Sequence, residues 1–432
     1  MQFRPHRCHF AIVFLVALVF AQSSSVLNSQ NEKPTFEEYL RRSAVEREVL
    51  DTFLDPEKRS WAQYDSELGY ILGRYMPHDG IDGSSTLSTV QKTGARTAHL
   101  YTGKPCRINT YGNSFTQCHQ VSDGETWQEY LAAHLAEPVR NFGMGGYGVY
   151  QTYRRMLREE KTDQSAQYVI FYIYGDDHLR SLLRCRHAII YPWWDHAGGT
   201  MFHNNFWPYV DIDLKTGQIA EHDNMLPTPE SLYEMTDREW MVEALKDDLA
   251  LHMYLYVRGA IADVDFQKVR DLSRVLGMGT RGLDGATPSR QSVEAVLRKY
   301  GFAATRYIVS KAKAFADRNN KKFMVVLLDP RGAMTELVQT GNRYDQEVVD
   351  FLAESRIRTF DMNVVHVEDY KNFNLPFGDY MKRYFIGHYS PAGNHFFAFS
   401  IKNSVVNWLD PKPVTYQDRV QKLINFEGYL EK

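Results

Sequence analysis

Arg107-Ile108-Asn109-Thr110-Tyr111-Gly112-Asn113-Ser114-Phe115-Thr116 runs from a short apolar stretch through a glycine to a serine, the order in which a β-strand ends and a helix begins. A serine so placed lies at the carboxyl edge of a parallel sheet, where loops and helix N-termini converge with unpaired N–H donors. The same rhythm continues outward. Residues 107–111, 139–142, 168–174, 322–328 and 357–365 read as strands, and helical patterns fill 126–135, 150–158, 293–318 and 346–354. Five strands joined by crossover helices predict an α/β fold with a parallel sheet covered on both faces.

The interval from about 186 to 290 breaks this rhythm. It gathers Trp193, Trp194, Phe202, Phe206, Trp207 and Tyr209 within a few turns and reads as an insertion. Inside it, Tyr209 to Leu214 alternates apolar and polar, and Lys215-Thr216-Gly217 turns the chain toward Gln218-Ile219-Ala220, which predicts a hairpin. A long helical pattern spans 229–256. Upstream of the sheet, residues 22–100 read as an extension, helical between Phe36 and Leu54, that packs on the main domain at 101–432.

The chain of 432 residues is 44% hydrophobic and carries a net charge of −3, enough apolar material for one large core or two ordinary ones. Both signs are spread along it, which gives no electrostatic reason to expect nucleic acid or an anionic membrane as partner. Arg4, His6 and Arg7 precede an apolar run from Phe10 to Ala21, the pattern of an export signal at 1–21. That run is short for a span, and no later stretch could cross a membrane, so a secreted or periplasmic chain without an integral segment is expected after signal removal. Cys106, Cys118 and Cys185 would remain, which leaves open either one disulfide or three buried thiols.

Three further segments carry chemistry. Asn141-Phe142-Gly143-Met144-Gly145-Gly146-Tyr147-Gly148 follows the second strand, and its glycines imply unusual backbone angles or close backbone approach, such as aims N–H groups at a developing oxyanion. Tyr174-Gly175-Asp176-Asp177-His178 ends the third strand on the same sheet edge. Gly387-His388-Tyr389-Ser390-Pro391-Ala392-Gly393 leads into a helix over 396–408. Taken singly, Ser114 reads as a helix cap and His388 as a structural histidine. The ordered set of four is what points to a site.

This set resembles the SGNH/GDSL hydrolase family over roughly 107–174 and 321–409, with the aromatic interval inserted between. The resemblance implies a three-layer α/β/α, flavodoxin-like sheet and an ester-cleaving serine hydrolase, with Ser114 as nucleophile and His388 as general base. It also implies an oxyanion hole from the N–H groups of Ser114 and Gly146 and from position 176, with no cofactor. Three positions depart from the family. Asn113 replaces its aspartate, Asp176 stands where it has an oxyanion asparagine, and Phe385 and Ile386 occupy the places of the triad acid. Asp379 is the nearest upstream carboxylate, and a surface helix aspartate is its commoner explanation.

The substrate expected is a small-molecule or carbohydrate ester, since aromatic rings of the insertion would suit sugar faces. A polysaccharide O-acyltransferase uses the same residues, and a binding protein on the same scaffold is the alternative of another class. Metal or phosphate chemistry finds no motif: His187, His196 and His203 are spread over irregular sequence, and His178 and His395 read as core or supporting residues.

Overall fold

The structure, a computed structural model, describes residues 33–417 except 76 and 286–287, so the expected export segment at 1–21 lies outside the described residues. Five strands form one parallel sheet: β1 (Ile108–Tyr111), β2 (Val139–Asn141), β3 (Tyr168–Tyr174), β4 (Lys322–Leu328) and β5 (Arg358–Asp361). Their spatial order is β2-β1-β3-β4-β5, the doubly wound arrangement whose topological switch point lies between β1 and β3.

The continuous apolar runs of β3 and β4 are explained by burial on both sides. Val169, Phe171, Ile173, Phe323, Val325 and Leu327 enter one core, and Ile170, Tyr172, Met324, Val326 and Leu328 enter a second across the sheet. Over the second face lie α1 (Ser114–Gln117), α2 (Trp127–Leu135) and, from the far end of the chain, Pro391–Trp408. Over the first lie α3 (Val149–Glu159), α4 (Arg290–Arg318) and α5 (Gln346–Glu354). With Pro391–Trp408 as α6, the sheet is covered on both faces, as the alternation of patterns predicts.

The insertion and the segment before β1 share the first core, which contains Phe36, Leu40, Leu50, Phe202, Phe206 and Trp207 together. The hairpin expected at 209–220 forms with Tyr209 opposite His222 and Ile212 opposite Ile219. The helical pattern over 36–54 folds as Phe36–Arg42 and Arg47–Leu54, and a second hairpin, Ala62–Asp65 with Gly69–Leu72, follows within the extension.

Three boundaries differ from the sequence reading by more than three residues; one is the start of α6, at Pro391 rather than 396, because Ser390 caps it there by accepting the Gly393 N–H at 3.2 Å. The pattern at 229–256 is broken into a 3-10 turn at Ser231–Thr236 and helices at Arg238–Leu245 and Leu249–Arg258, because the Asp237 and Asp248 side chains accept first-turn N–H groups and restart the chain there. The fifth strand stops at Asp361 rather than 365, since the Asp361 carboxylate accepts the Asn363 N–H at 3.0 Å and opens a helix over Met362–Tyr370. Cys106, Cys118 and Cys185 are all unpaired thiols. No helix among the described residues is long and apolar enough to cross a membrane.

Candidate active site

Ser114 begins α1 immediately beyond β1, and Asn113 caps that helix by accepting the Phe115 N–H at 2.8 Å. The cap's amide nitrogen donates to Asp177 Oδ2 at 2.5 Å, so its two ends join the loops after β1 and β3. Asp177 is fully buried and also receives the Tyr174 N–H at 2.9 Å and Arg180 at 3.0 Å. Burial nonetheless pushes its carboxyl up to about 7, against the pull of Arg180 and these donors. The asparagine at 113 therefore has a local reason: an aspartate there would set two carboxylates face to face.

His388 arrives from the loop before α6, and its Nε2 lies 2.7 Å from Ser114 Oγ. On the other side of the ring, Nδ1 lies 3.0 Å from Gln120 Oε1, which also accepts the His388 backbone N–H at 2.8 Å. The Gln120 amide nitrogen donates to the Asp79 carbonyl at 2.8 Å. An N–H can only donate and a carbonyl only accept, so these two contacts fix which end of the amide is oxygen. Nδ1 must then carry the ring proton, leaving Nε2 to accept from the serine hydroxyl. Burial, helped by the positive charges of Arg331 and Arg180 and by the neighbouring His119 ring, holds His388 well below the usual histidine range. It is a neutral base at ordinary pH.

Gln120 thus takes the orienting place that the positions before His388 leave empty. It lies in left-handed backbone at φ 74°, and Gly387, at φ 116°, gives it room: a Cβ on Gly387 would fall 2.8 Å from Gln120 Oε1. The loop that carries it is clamped by buried Arg96, which donates to the carbonyls of Gln117, Cys118 and Val121 and pairs with Asp123 at 3.0 Å. Beside it, His119 Nε2 meets Asp79 Oδ2 at 2.6 Å, with its ring edge-on to His388 at 5.1 Å.

The glycine loop after β2 supplies the opposite wall. Gly146 alone of its four glycines has positive φ, at 84°, and Gly145 is tied down by its N–H to Gln117 Oε1 at 2.7 Å. Among the described residues neither the Ser114 nor the Gly146 N–H has an acceptor in the protein, which leaves both for a ligand oxygen. Asp176, the third expected member of the oxyanion hole, lines the same cleft; its side chain is 67% exposed and accepts from Arg180 at 3.2 Å.

The cleft measures about 440 Å³ and is lined by Trp61, Ser114, His119, Gly146, Arg186 and His388, with Trp193, Trp194 and His203 contributed by the insertion. Asp379 lies outside it, exposed and paired with Lys382 at 2.8 Å. His178 is buried against Thr305 at 2.8 Å, His395 is exposed beside Tyr130, and His187 is buried near His196; none lines the cleft. The sequence reading missed Gln120, Asp79, Arg96, Arg180 and Arg186. Only the adjacent polar pair His119-Gln120, directly after the helix that Ser114 opens, was visible as a signal.

No family model matches the chain, and no curated protein matches its sequence.

Proposed function

We propose that this chain is an exported serine esterase of the SGNH/GDSL type that transfers an acyl group from an ester to Ser114 and then to water. The observation that carries the reading is the ordered line Ser114 Oγ, His388 Nε2, His388 Nδ1 and Gln120 Oε1, with steps of 2.7 and 3.0 Å, beside two unpartnered N–H groups.

Ser114 Oγ attacks the ester carbonyl while His388 Nε2 removes its proton. The carbonyl oxygen, now an oxyanion, receives the N–H groups of Ser114 and Gly146. His388 returns the proton to the departing alkoxide, and the acyl group stays on Ser114. Water then enters by the same path: His388 takes its proton, the oxyanion forms again, and Ser114 leaves with a proton from the imidazolium. Gln120 keeps Nδ1–H in place, but a neutral amide stabilises the imidazolium less than a carboxylate would. A third oxyanion donor is also missing, and one such donor is worth about 10²–10³ in rate. A slower enzyme than a full triad is the consequence.

The test is hydrolysis of a short-chain aryl ester and release of acetate from acetylated sugars by the wild type, Ser114→Ala and His388→Ala. Activity abolished by either substitution is expected. A wild type no faster than Ser114→Ala on every ester would sink the reading. Acyl transfer to added oligosaccharide in preference to water would make the chain an O-acyltransferase.

A further inference from the structure

The charged groups around Ser114 are unevenly paired. Three arginines line the cleft, Arg180, Arg186 and Arg331, against Asp79 and Asp176. Arg180 is taken by Asp176 and Asp177 at 3.2 and 3.0 Å, and Asp79 by His119. Among the described residues neither Arg186 nor Arg331 has a carboxylate within ion-pair distance.

Arg186 is nine-tenths buried, and its Nε is buried with no partner. Nη1 donates to Asn204 Oδ1 at 3.3 Å, and the Tyr70 hydroxyl stands against the same guanidinium beside Gly146. It packs against Gly146 so closely that a Cβ there would fall 2.3 Å from Nη1, which sets the guanidinium beside the candidate oxyanion site. A guanidinium keeps its charge when buried, so the uncompensated cation is costly unless a ligand brings an anion. Arg155 is buried as well, but it lies over the Phe142 ring at 5.6 Å, with Glu159 and Asp65 near enough to favour its charge. Arg186 has Asp176 near enough to favour its charge, but among the described residues no carboxylate lies within ion-pair distance of it and no aromatic ring lies under its guanidinium. Arg331 is exposed and stands where the cleft meets two further cavities of about 740 and 520 Å³.

We propose that the substrate carries a permanent oxyanion, a carboxylate or a sulfate, next to the scissile ester, and that Arg186 and Arg331 bind it. The planar guanidinium fork matches either group. Trp193 and Trp194, on the same cleft, fit an acylated acidic sugar as the bearer of the charge. A transient oxyanion alone does not account for the pair, because it already has two N–H groups and needs no cation at the exposed junction. This inference rests on the esterase reading.

The experiment compares kcat/KM of the full chain on matched neutral and anionic esters. One arm sets 4-nitrophenyl butyrate against 4-nitrophenyl hemisuccinate, with the charge on the acyl side. The other sets acetylated glucose against acetylated glucuronate and acetylated glucose sulfate, with the charge on the alcohol side. A preference of about tenfold or more for an anionic member is expected in one arm, and Arg186→Gln or Arg331→Gln should erase most of it. Inorganic sulfate should raise the melting temperature of the wild type more than that of Arg331→Gln, a readout that needs no turnover and no substitution in the core.

Equal turnover of neutral and anionic members in both arms overturns the inference while leaving the esterase intact. So does a loss of the same factor on both members in the two variants. Absence of all ester hydrolysis together with a sulfate shift confined to the wild type would instead retain the anion site and remove the esterase reading.

Discussion

At the scale of single residues, Gln120 and Asn113 decide how the Ser114 and His388 pair works. Replacing Gln120 by alanine strips acceptors from both His388 Nδ1 and the His388 backbone N–H, so kcat/KM should fall by roughly 10²–10⁴. Gln120→Glu is the discriminating variant. It puts a negative charge against the imidazole, so the acid limb of the rate profile, expected in the wild type below the usual histidine range, should move to higher pH. A purely structural role for Gln120 would leave that limb unmoved. Asn113→Asp should also be informative, because it removes the 2.5 Å donor to Asp177 and adds a like charge. Losing such a buried hydrogen bond costs about 1–3 kcal/mol. The sign of its pH dependence follows from Asp177. Its folded carboxyl is raised from 3.8 to about 7, so the neutral form is favoured by folding. That contribution is full below 3.8 and is lost as pH rises through about 7. Thermal melting should therefore show the Asn113→Asp penalty growing between pH 5 and pH 8, and a penalty that shrinks over this range would contradict the account.

At the scale of elements, the loop from Gln117 to Asp123 is the piece on which geometry depends. Its backbone departs from helix and strand alike, with Cys118 at φ 58° and Gln120 at φ 74°. Such conformations persist only where surroundings over-determine them. Arg96 supplies much of that constraint through three carbonyls and the buried Asp123 pair. Arg96→Ala should cost about 3–5 kcal/mol in unfolding free energy by denaturant titration. It should also depress kcat more than KM, since Gln120 would lose its fixed position. Arg96→Lys keeps the charge but not the fork, and is expected to recover only part of the stability. Full recovery of kcat by lysine would show that geometry at this loop matters less than charge.

At the scale of the whole molecule, the cleft is assembled from parts far apart in the chain: sheet-edge loops, the extension that brings Trp61 and Asp79, and the insertion that brings Arg186, Trp193 and Trp194. Trp193 is 65% exposed. Its replacement by alanine should leave the melting temperature nearly unchanged and raise KM for an acylated sugar several-fold, with little change for a small aryl ester. An equal rise for both substrates would argue that the ring shapes the cleft rather than meeting a sugar.

The sequence by itself determined the sheet, because apolar runs buried on both faces and amphipathic covers leave a period that needs no tertiary information: β3, β4 and α5 begin and end where the pattern does. It also determined which strand ends carry Ser114 and Gly146, since loop order along the chain becomes position along one edge. Only the tertiary structure decided the group behind His388. Gln120 reaches it across 268 residues of chain, through an amide whose orientation is set by Asp79, and no spacing rule encodes a contact of that kind. The same holds for Asp176 and Asp177, adjacent in sequence yet opposite in burial, and for Arg186, whose isolation is a property of what surrounds it in space. Local patterns fix elements because their physics is local. The charges and hydrogen bonds of the site are settled only when distant loops meet.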